Sequence, residues 1–259
     1  MWINLARTVL AYFIHSLCTN SFLFMYNKKI MLRKNPFIKG EYYHIYNRGI
    51  DKRTIFESKE DYKRFIMLLH LSNSINVIRL DNLILCNRRS FKEVMTIDTE
   101  APIVSIGAWC LMPNHFHILI KEDEEGGITK FMRKLCTGYS MYFNRKYNRQ
   151  GSLLGGVFKS RLIGNDDNYM KYLFSYIHLN PLDISFSGWE YNNNVSNKEI
   201  KNILDTYEYS SYLDCLKVPR LENNIINHKN FPDYFENSKS FRDFVENFFI
   251  NRPSKDGPC

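Results

Sequence analysis

The six cysteines, Cys18, Cys86, Cys110, Cys136, Cys215 and Cys259, contain no CxxC pair. That spacing argues against a zinc knuckle and against the dense disulfide framework of a small secreted domain. They read as reduced thiols of a cytosolic protein. The chain also lacks an internal repeat and a low-complexity tract, which excludes a solenoid and a compositionally biased tail. It lacks a clean membrane-length run. Thr8 to Asn27 carries no Lys, Arg, Asp or Glu over twenty residues, but His15, Ser16, Thr19, Asn20 and Ser21 interrupt its middle. No small-residue cleavage site of a signal peptide follows. Residues 1–31 are therefore expected to be an accessory extension, or the product of an upstream start codon, rather than a membrane anchor. Acidic residues are the other deficit: 27 Asp and Glu face 35 Lys and Arg, a net charge of +8 and a pI near 9.1.

What is present fits a globular protein with an anionic partner. Hydrophobic residues make up 44% of the 259, enough for one large domain or a medium domain with extensions. The positive balance suits a polyanion such as nucleic acid. Tyr and Phe number 17 and 19. Interleaved with Lys and Arg they suit stacking on unpaired bases, although most aromatics belong to a core.

The hydrophobic pattern gives the elements. EYYHIYNRG (41–49) alternates and ends in a glycine turn, so a strand is expected. Ser58 to Asp61 is a capping box opening a helix whose apolar face carries Tyr62, Phe65, Ile66 and Leu69. Residues 76–86 read as a strand and 87–100 as a loop. Residues 103–110 and 114–120 read as one interrupted strand or two consecutive ones, with a bulge or sheet edge at Pro113. A basic helix is expected over 128–147, with Ile128, Phe131, Leu135 and Tyr142 on one side. A glycine-broken β-like segment (151–164) follows. Asp166 or Asp167 then caps a helix running to about Leu179 and stopped by Pro181. The rest is mostly helical and polar, with a last helix near 241–249. The order β-α-β-β-α-(β)-α predicts an α+β fold: a ferredoxin-like or RRM-like antiparallel sheet with helices on one face, plus a helical C-terminal extension.

Two constellations carry chemistry. In WCLMPNHFHILI (109–120), His115 and His117 stand two apart on a strand and share a face, while Phe116 and Ile118 point the other way. Two imidazoles on one face are what a divalent metal needs from a protein wall, and also what two unrelated surface histidines would look like. In DDNYMKYLFSYIHLN (166–180), Tyr169, Tyr172, Tyr176 and Asn180 follow helical spacing along one face. Leu173, Phe174 and Ile177 lie on another flank and can anchor the helix. Taken alone this is an amphipathic helix with a tyrosine-rich boundary. Beside a metal it is more. A phenol attacks phosphorus when a cation polarises the phosphodiester, and Asn180, one turn past Tyr176, can offer an amide oxygen as third ligand.

MPNHFHILI resembles the His-hydrophobic-His motif of HUH single-strand endonucleases, in the MPNHxHxL form of the single-tyrosine (Y1) transposases of the IS200-like superfamily, most of all the REP-associated tyrosine transposases. YYHIYNRG (42–49), IFESKEDYKRF (55–65), GVFKSRLI (156–163), SYIHLNP (175–181) and YEYSSYLDCL (207–216) agree in order, so the resemblance covers roughly 36–250. It implies an HUH endonuclease fold over 32–190, with residues 191–259 as the extension. It implies that His115 and His117 bind metal with Asn180, and that Tyr176 is the nucleophile, with Tyr172 and Tyr169 as fallbacks on the same face. His178 points elsewhere and reads as structural. The cation would be Mg²⁺ or Mn²⁺. The product would be a 5′-phosphotyrosine with a free 3′-OH on single-stranded DNA, the targets imperfect hairpins, and the protein a monomer or weak homodimer with no organic cofactor. Arg48, Lys52, Arg53, Arg133, Lys134, Lys159 and Arg161 would bind DNA, each weighed against an ordinary solvated charge. Where relatives often carry Gln-Gly-Arg before FKS, this chain has Gly155-Gly156-Val157, so one basic contact is absent. The competing expectations are a non-catalytic RRM-like single-strand binding module, a metal-dependent phosphodiester hydrolase, and a degenerate domesticated transposase.

Overall fold

The structure, a computed structural model, describes residues 36–76, 78–86, 88–164, 166–188, 195–235 and 237–250. The expected extension at 1–31 lies outside the described residues. In chain order the elements are β1 (Tyr42–Arg48), α1 (Lys59–Ser72), α2 (Phe91–Met95), β2 (Val104–Met112), β3 (His115–Glu122), α3 (Gly127–Lys146), β4 (Lys159–Leu162), α4 (Asp167–Leu179), α5 (Leu182–Ser185), α6 (Asn197–Thr206), α7 (Tyr212–Cys215) and α8 (Ser238–Ile250). The strands form one antiparallel sheet in the order β2-β3-β1-β4.

The sheet has two different faces because strand side chains alternate. Phe116, Ile118 and Ile120 of β3 join Ile45, Trp109 and Leu111 in a core with Phe65 and Leu69 of α1 and Phe131, Leu135 and Tyr139 of α3. Leu119 of β3 joins Cys110 and Met112 of β2 in a second core with Leu173, Phe174 and Ile177 of α4. The expected one-face arrangement holds for α1 and α3. Helix α4 packs on the opposite face, because its own apolar stripe meets the histidine side of the sheet.

Local chemistry fixes the ends. Asp61 accepts from the backbone N–H of Glu57 and Ser58 at 2.9 and 3.0 Å, closing the expected box at α1. Buried Asp61 also accepts from Tyr142 and Lys146 of α3 and from Tyr147 just past its end, tying α1 and α3 together. Asp166 caps α4, accepting from the N–H of Asn168 and Tyr169, both at 3.0 Å. The outer edge of β2 is closed by the chain itself: Leu111 N–H donates to Tyr209 at 2.9 Å and Ser211 N–H to Trp109 at 2.9 Å.

Three expectations change. The described residues of 76–86 form no strand: Asn82–Cys86 make one wide helical turn. The expected loop 87–100 contains α2, opened by Ser90 and Glu93 as a second capping box. Pro113 sits neither in a bulge nor at an edge. Pro113 and Asn114 form the turn between β2 and β3, where proline's missing N–H costs nothing and its carbonyl accepts from Ile55 at 2.8 Å. The bulge lies instead between Ile106 and Ala108. There the buried Phe231 ring lies against Gly107, and a Cβ on residue 107 would stand 2.6 Å from it. Gly107→Ala should therefore lower the unfolding free energy by roughly 1–3 kcal/mol through overpacking. Urea denaturation checks this, and an unchanged midpoint would show that Phe231 yields freely.

Candidate active site

The strand register assembles the site. His117 of β3 pairs with Tyr46 of β1 and Cys110 of β2, and His115 with Arg48 and Met112. Residues opposite one another share a face, so His44, Tyr46 and Arg48 stand beside the two histidines. On β4, Lys159 pairs with Tyr46 and Arg161 with His44. Helix α4 lies across this face and brings its tyrosine side to the histidines.

Distances show which groups meet. The rings of His115 and His117 lie 5.0 Å apart at 89°. Tyr176 meets His117 edge-on at 5.5 Å and His44 at 6.2 Å. From Tyr176 a ladder runs outward along α4. Tyr172 stacks on Tyr176 at 5.8 Å, Tyr169 on Tyr172 at 5.9 Å, and the Arg161 guanidinium lies 4.4 Å over Tyr169. Asn180 is buried at the end of α4. Its amide Nδ2 donates to the Tyr176 carbonyl at 2.7 Å, so its Oδ1 is the atom left to accept or to ligate, and Asn180 acts on the neighbouring His115 imidazole. His115, His117, Asn180 and Tyr176 thus converge, and Tyr172 and Tyr169 stand farther out.

The basic residues divide. Arg48, Lys159 and Arg161 are exposed at the rim of this face. Lys52 and Arg53 lie in the turn after β1, whose Asp51 and Lys52 adopt φ of 55° and 60°. Arg53 is partly committed, its Nε donating to the Ile50 carbonyl at 3.2 Å. Arg133 and Lys134 belong to α3, behind the sheet. Arg133 is exposed there, while Lys134 donates to the carbonyls of Ser74 and Asn76 and so fastens the chain after α1. His178 is buried, bonded to the Phe174 carbonyl and to Ser211 Oγ, both at 2.7 Å.

Sequence reasoning missed two contacts. His44 Nε2 lies 2.8 Å from His117 Nδ1, and Asn114 Oδ1 lies 2.5 Å from His115 Nδ1. The signal for the first was present: His44, Tyr46 and Arg48 alternate along β1 as His115 and His117 do along β3. The partner strand was not readable.

Burial keeps the imidazoles neutral. It pushes His117 well below the usual range, helped by His44 and His115, and lowers His44 to about 4 with help from Arg161. His115 is also lowered, chiefly by burial, against a pull upward from Asn180 and Asp183. Two imidazoles and an amide oxygen are three neutral donors, a set that accepts Mn²⁺ or Mg²⁺ when an anionic ligand completes the shell. Among the described residues no group of three His, Cys, Asp or Glu is placed to hold a metal ion.

The same burial makes stability pH-dependent. His44, His115, His117 and His178, the last lowered to about 3, all have folded pKa values below the unfolded one. The unfolded chain then takes up protons first as pH falls. Their contribution is complete above the unfolded value of about 6.5 and is lost as pH falls below it toward the folded values. The urea midpoint should hold from pH 8 to 7 and fall between about 6.5 and 4. A midpoint that stays flat across that interval would contradict the burial of these rings as neutral groups.

Comparison with known proteins follows the same residues. No curated protein matches the chain. The solved structure of a REP-associated tyrosine transposase bound to a REP hairpin aligns with a TM-score of 0.44 and 12% identity, over 74% of this chain and 90% of that one. No helix among the described residues is long and apolar enough to cross a membrane. Residues 86–179, a segment shorter than half the chain, match the family described as "Transposase IS200 like", and Asn180 falls just past its end. That segment, which carries both His115 and His117 and the tyrosine helix, is what this chain shares with the IS200-like transposases.

Proposed function

We propose that this protein is a metal-dependent single-strand DNA endonuclease and strand transferase of the REP-associated branch, with Tyr176 as nucleophile. The catalytic domain is 32–190 and residues 191–259 are its helical extension. The observation that carries the reading is the meeting of Tyr176 with His117 at 5.5 Å, beside His115 and Asn180.

His115, His117 and Asn180 would hold the cation. Bound there, Mg²⁺ or Mn²⁺ supplies Lewis-acid polarisation of the scissile phosphate. The chain does the rest. Because His115 and His117 are neutral, their lone pairs are available for ligation at physiological pH. Stacking on Tyr172 and edge contact with His117 orient the Tyr176 ring. Tyr176 gives up its phenolic proton as its oxygen attacks phosphorus, the P–O3′ bond breaks, and the departing 3′ oxygen takes up a proton, so the step is neutral in protons. The 5′-phosphotyrosine conserves the phosphodiester, so a second 3′-OH reverses the step and joins new ends without ATP.

Arg48, Lys159 and Arg161 border the same face and suit the phosphates of a strand lying across it. Lys52 and Arg53 extend that border. Arg133, behind the sheet, suits only the far arm of a folded hairpin, and Lys134 beside it is committed to the Ser74 and Asn76 carbonyls. The working form is a monomer or weak homodimer.

A denaturing gel tests the chemistry. Labelled single-stranded hairpin DNA from the flanks of the protein's own gene is incubated with Mn²⁺ or with EDTA. A metal-dependent band at the protein's mass is expected, and Tyr176→Phe should abolish it while native-gel binding persists. Cleaved DNA without that band would favour a hydrolase, and binding without cleavage across a hairpin library would favour a binding module. Arg161→Ala and Lys159→Ala should each weaken binding and flatten its salt dependence by about one phosphate's worth of slope. Lys134→Ala, whose ammonium already serves two carbonyls, should leave that slope unchanged.

A further inference from the structure

Each of the two strand histidines turns the same nitrogen, Nδ1, to a protein partner. His115 Nδ1 lies 2.5 Å from Asn114 Oδ1. The Asn114 amide cannot be reversed without loss, because its Nδ2 donates to the Lys52 carbonyl at 3.3 Å. A carbonyl oxygen only accepts, so the proton sits on His115 Nδ1 and the lone pair on Nε2. His117 Nδ1 lies 2.8 Å from His44 Nε2, with the two ring planes 19° apart. Two neutral imidazoles meeting nitrogen to nitrogen share one proton, and either ring can own it. If His44 donates, the single N–H proton of the neutral His117 ring sits on Nε2, and that nitrogen cannot ligate. If His44 accepts, His117 presents an Nε2 lone pair as His115 does.

We propose that His44, with Asn114 as its counterpart, is a positioning residue: it accepts the Nδ1 proton of His117, so both strand histidines present Nε2 lone pairs on the same face. The inference rests on the reading that His115 and His117 hold the cation. It adds a role for β1, which contributes none of the ligands. The placement follows from register. His44 pairs with Leu119, and Tyr46 with His117, so His44 reaches His117 along the diagonal of the antiparallel pair. Tyr46 confines both rings, 5.1 Å from His44 and 5.8 Å from His117. Hydrogen-bond partners of this outer kind fix the tautomer and orientation of a ligating histidine, and their loss weakens metal affinity by about 10–100-fold.

The test uses the full chain and Mn²⁺ alone, without DNA. Binding is followed by the loss of the free-ion EPR signal for wild type, His44→Phe, His44→Gln and His117→Ala. Phenylalanine keeps the ring volume and removes the acceptor, while glutamine restores an acceptor oxygen. His44→Phe should weaken Mn²⁺ by about 10–100-fold and His44→Gln should recover most of that loss. Wild-type affinity in His44→Phe, with His117→Ala impaired, would overturn the inference and leave the metal reading standing. Unimpaired binding in His117→Ala would remove both. Long-range ¹H–¹⁵N spectra of the wild type provide a readout that needs neither metal nor a folded variant. The proton of His117 is expected on Nδ1, and a proton on Nε2 would overturn the inference.

Discussion

The pairing of β1 with β3 is the constraint on which the rest depends. It sets Tyr46 against His117 and Arg48 against His115, and it brings His44 to His117 from the diagonal. The same pairing turns Phe116, Ile118 and Ile120 into the core under α1 and α3. One strand therefore serves two purposes with period-two precision. A slip of one residue would bury the histidines among leucines and expose the phenylalanine. The apolar face enforces the register, and the polar face inherits its geometry from that enforcement.

Charge is distributed accordingly. The groups at the centre, His44, His117, His115 and Asn180, are neutral or held neutral by burial. The cations Arg48, Lys159 and Arg161 stand at the exposed rim, where water and an anionic ligand can meet them. Burying an unpaired guanidinium beside two imidazoles would cost several kcal/mol, roughly the price of an isolated charge out of water. Neutral donors inside and cations outside leave the centre able to take a divalent ion together with the anion that brings it. The tyrosine ladder from Tyr176 to Tyr169, capped by Arg161, connects centre to rim.

Much of this was legible in the sequence where periodicity is strong. The alternation of HFHILI placed the histidine pair, and the spacing of Tyr169, Tyr172, Tyr176 and Asn180 placed the helix face that meets it. Asp166 and the Ser58 box marked helix starts, because caps are local chemistry. The misreadings have physical causes. Residues 76–86 are apolar enough for a strand but too irregular to hold one, and the short box at Ser90 was lost in a polar stretch. Pro113 was read against strand rules although it lies in a turn. The roles of His44 and Asn114 depend on which strands pair and how a turn closes, and neither is written in local pattern. Nor does a basic helix announce which side of a sheet it will occupy, so Arg133 and Lys134 could not be separated from Lys159 and Arg161.

The most direct test of the central claim is peptide mapping of the covalent product. The protein is reacted with single-stranded hairpin DNA in Mn²⁺, digested with nuclease and protease, and the nucleotide-bearing peptide is sequenced by mass spectrometry. The three ladder tyrosines fall within residues 169–176, so fragment ions must separate them. The account predicts a nucleotide phosphate on Tyr176. A phosphate on Tyr172 or Tyr169, or cleavage with no modified tyrosine, would contradict it.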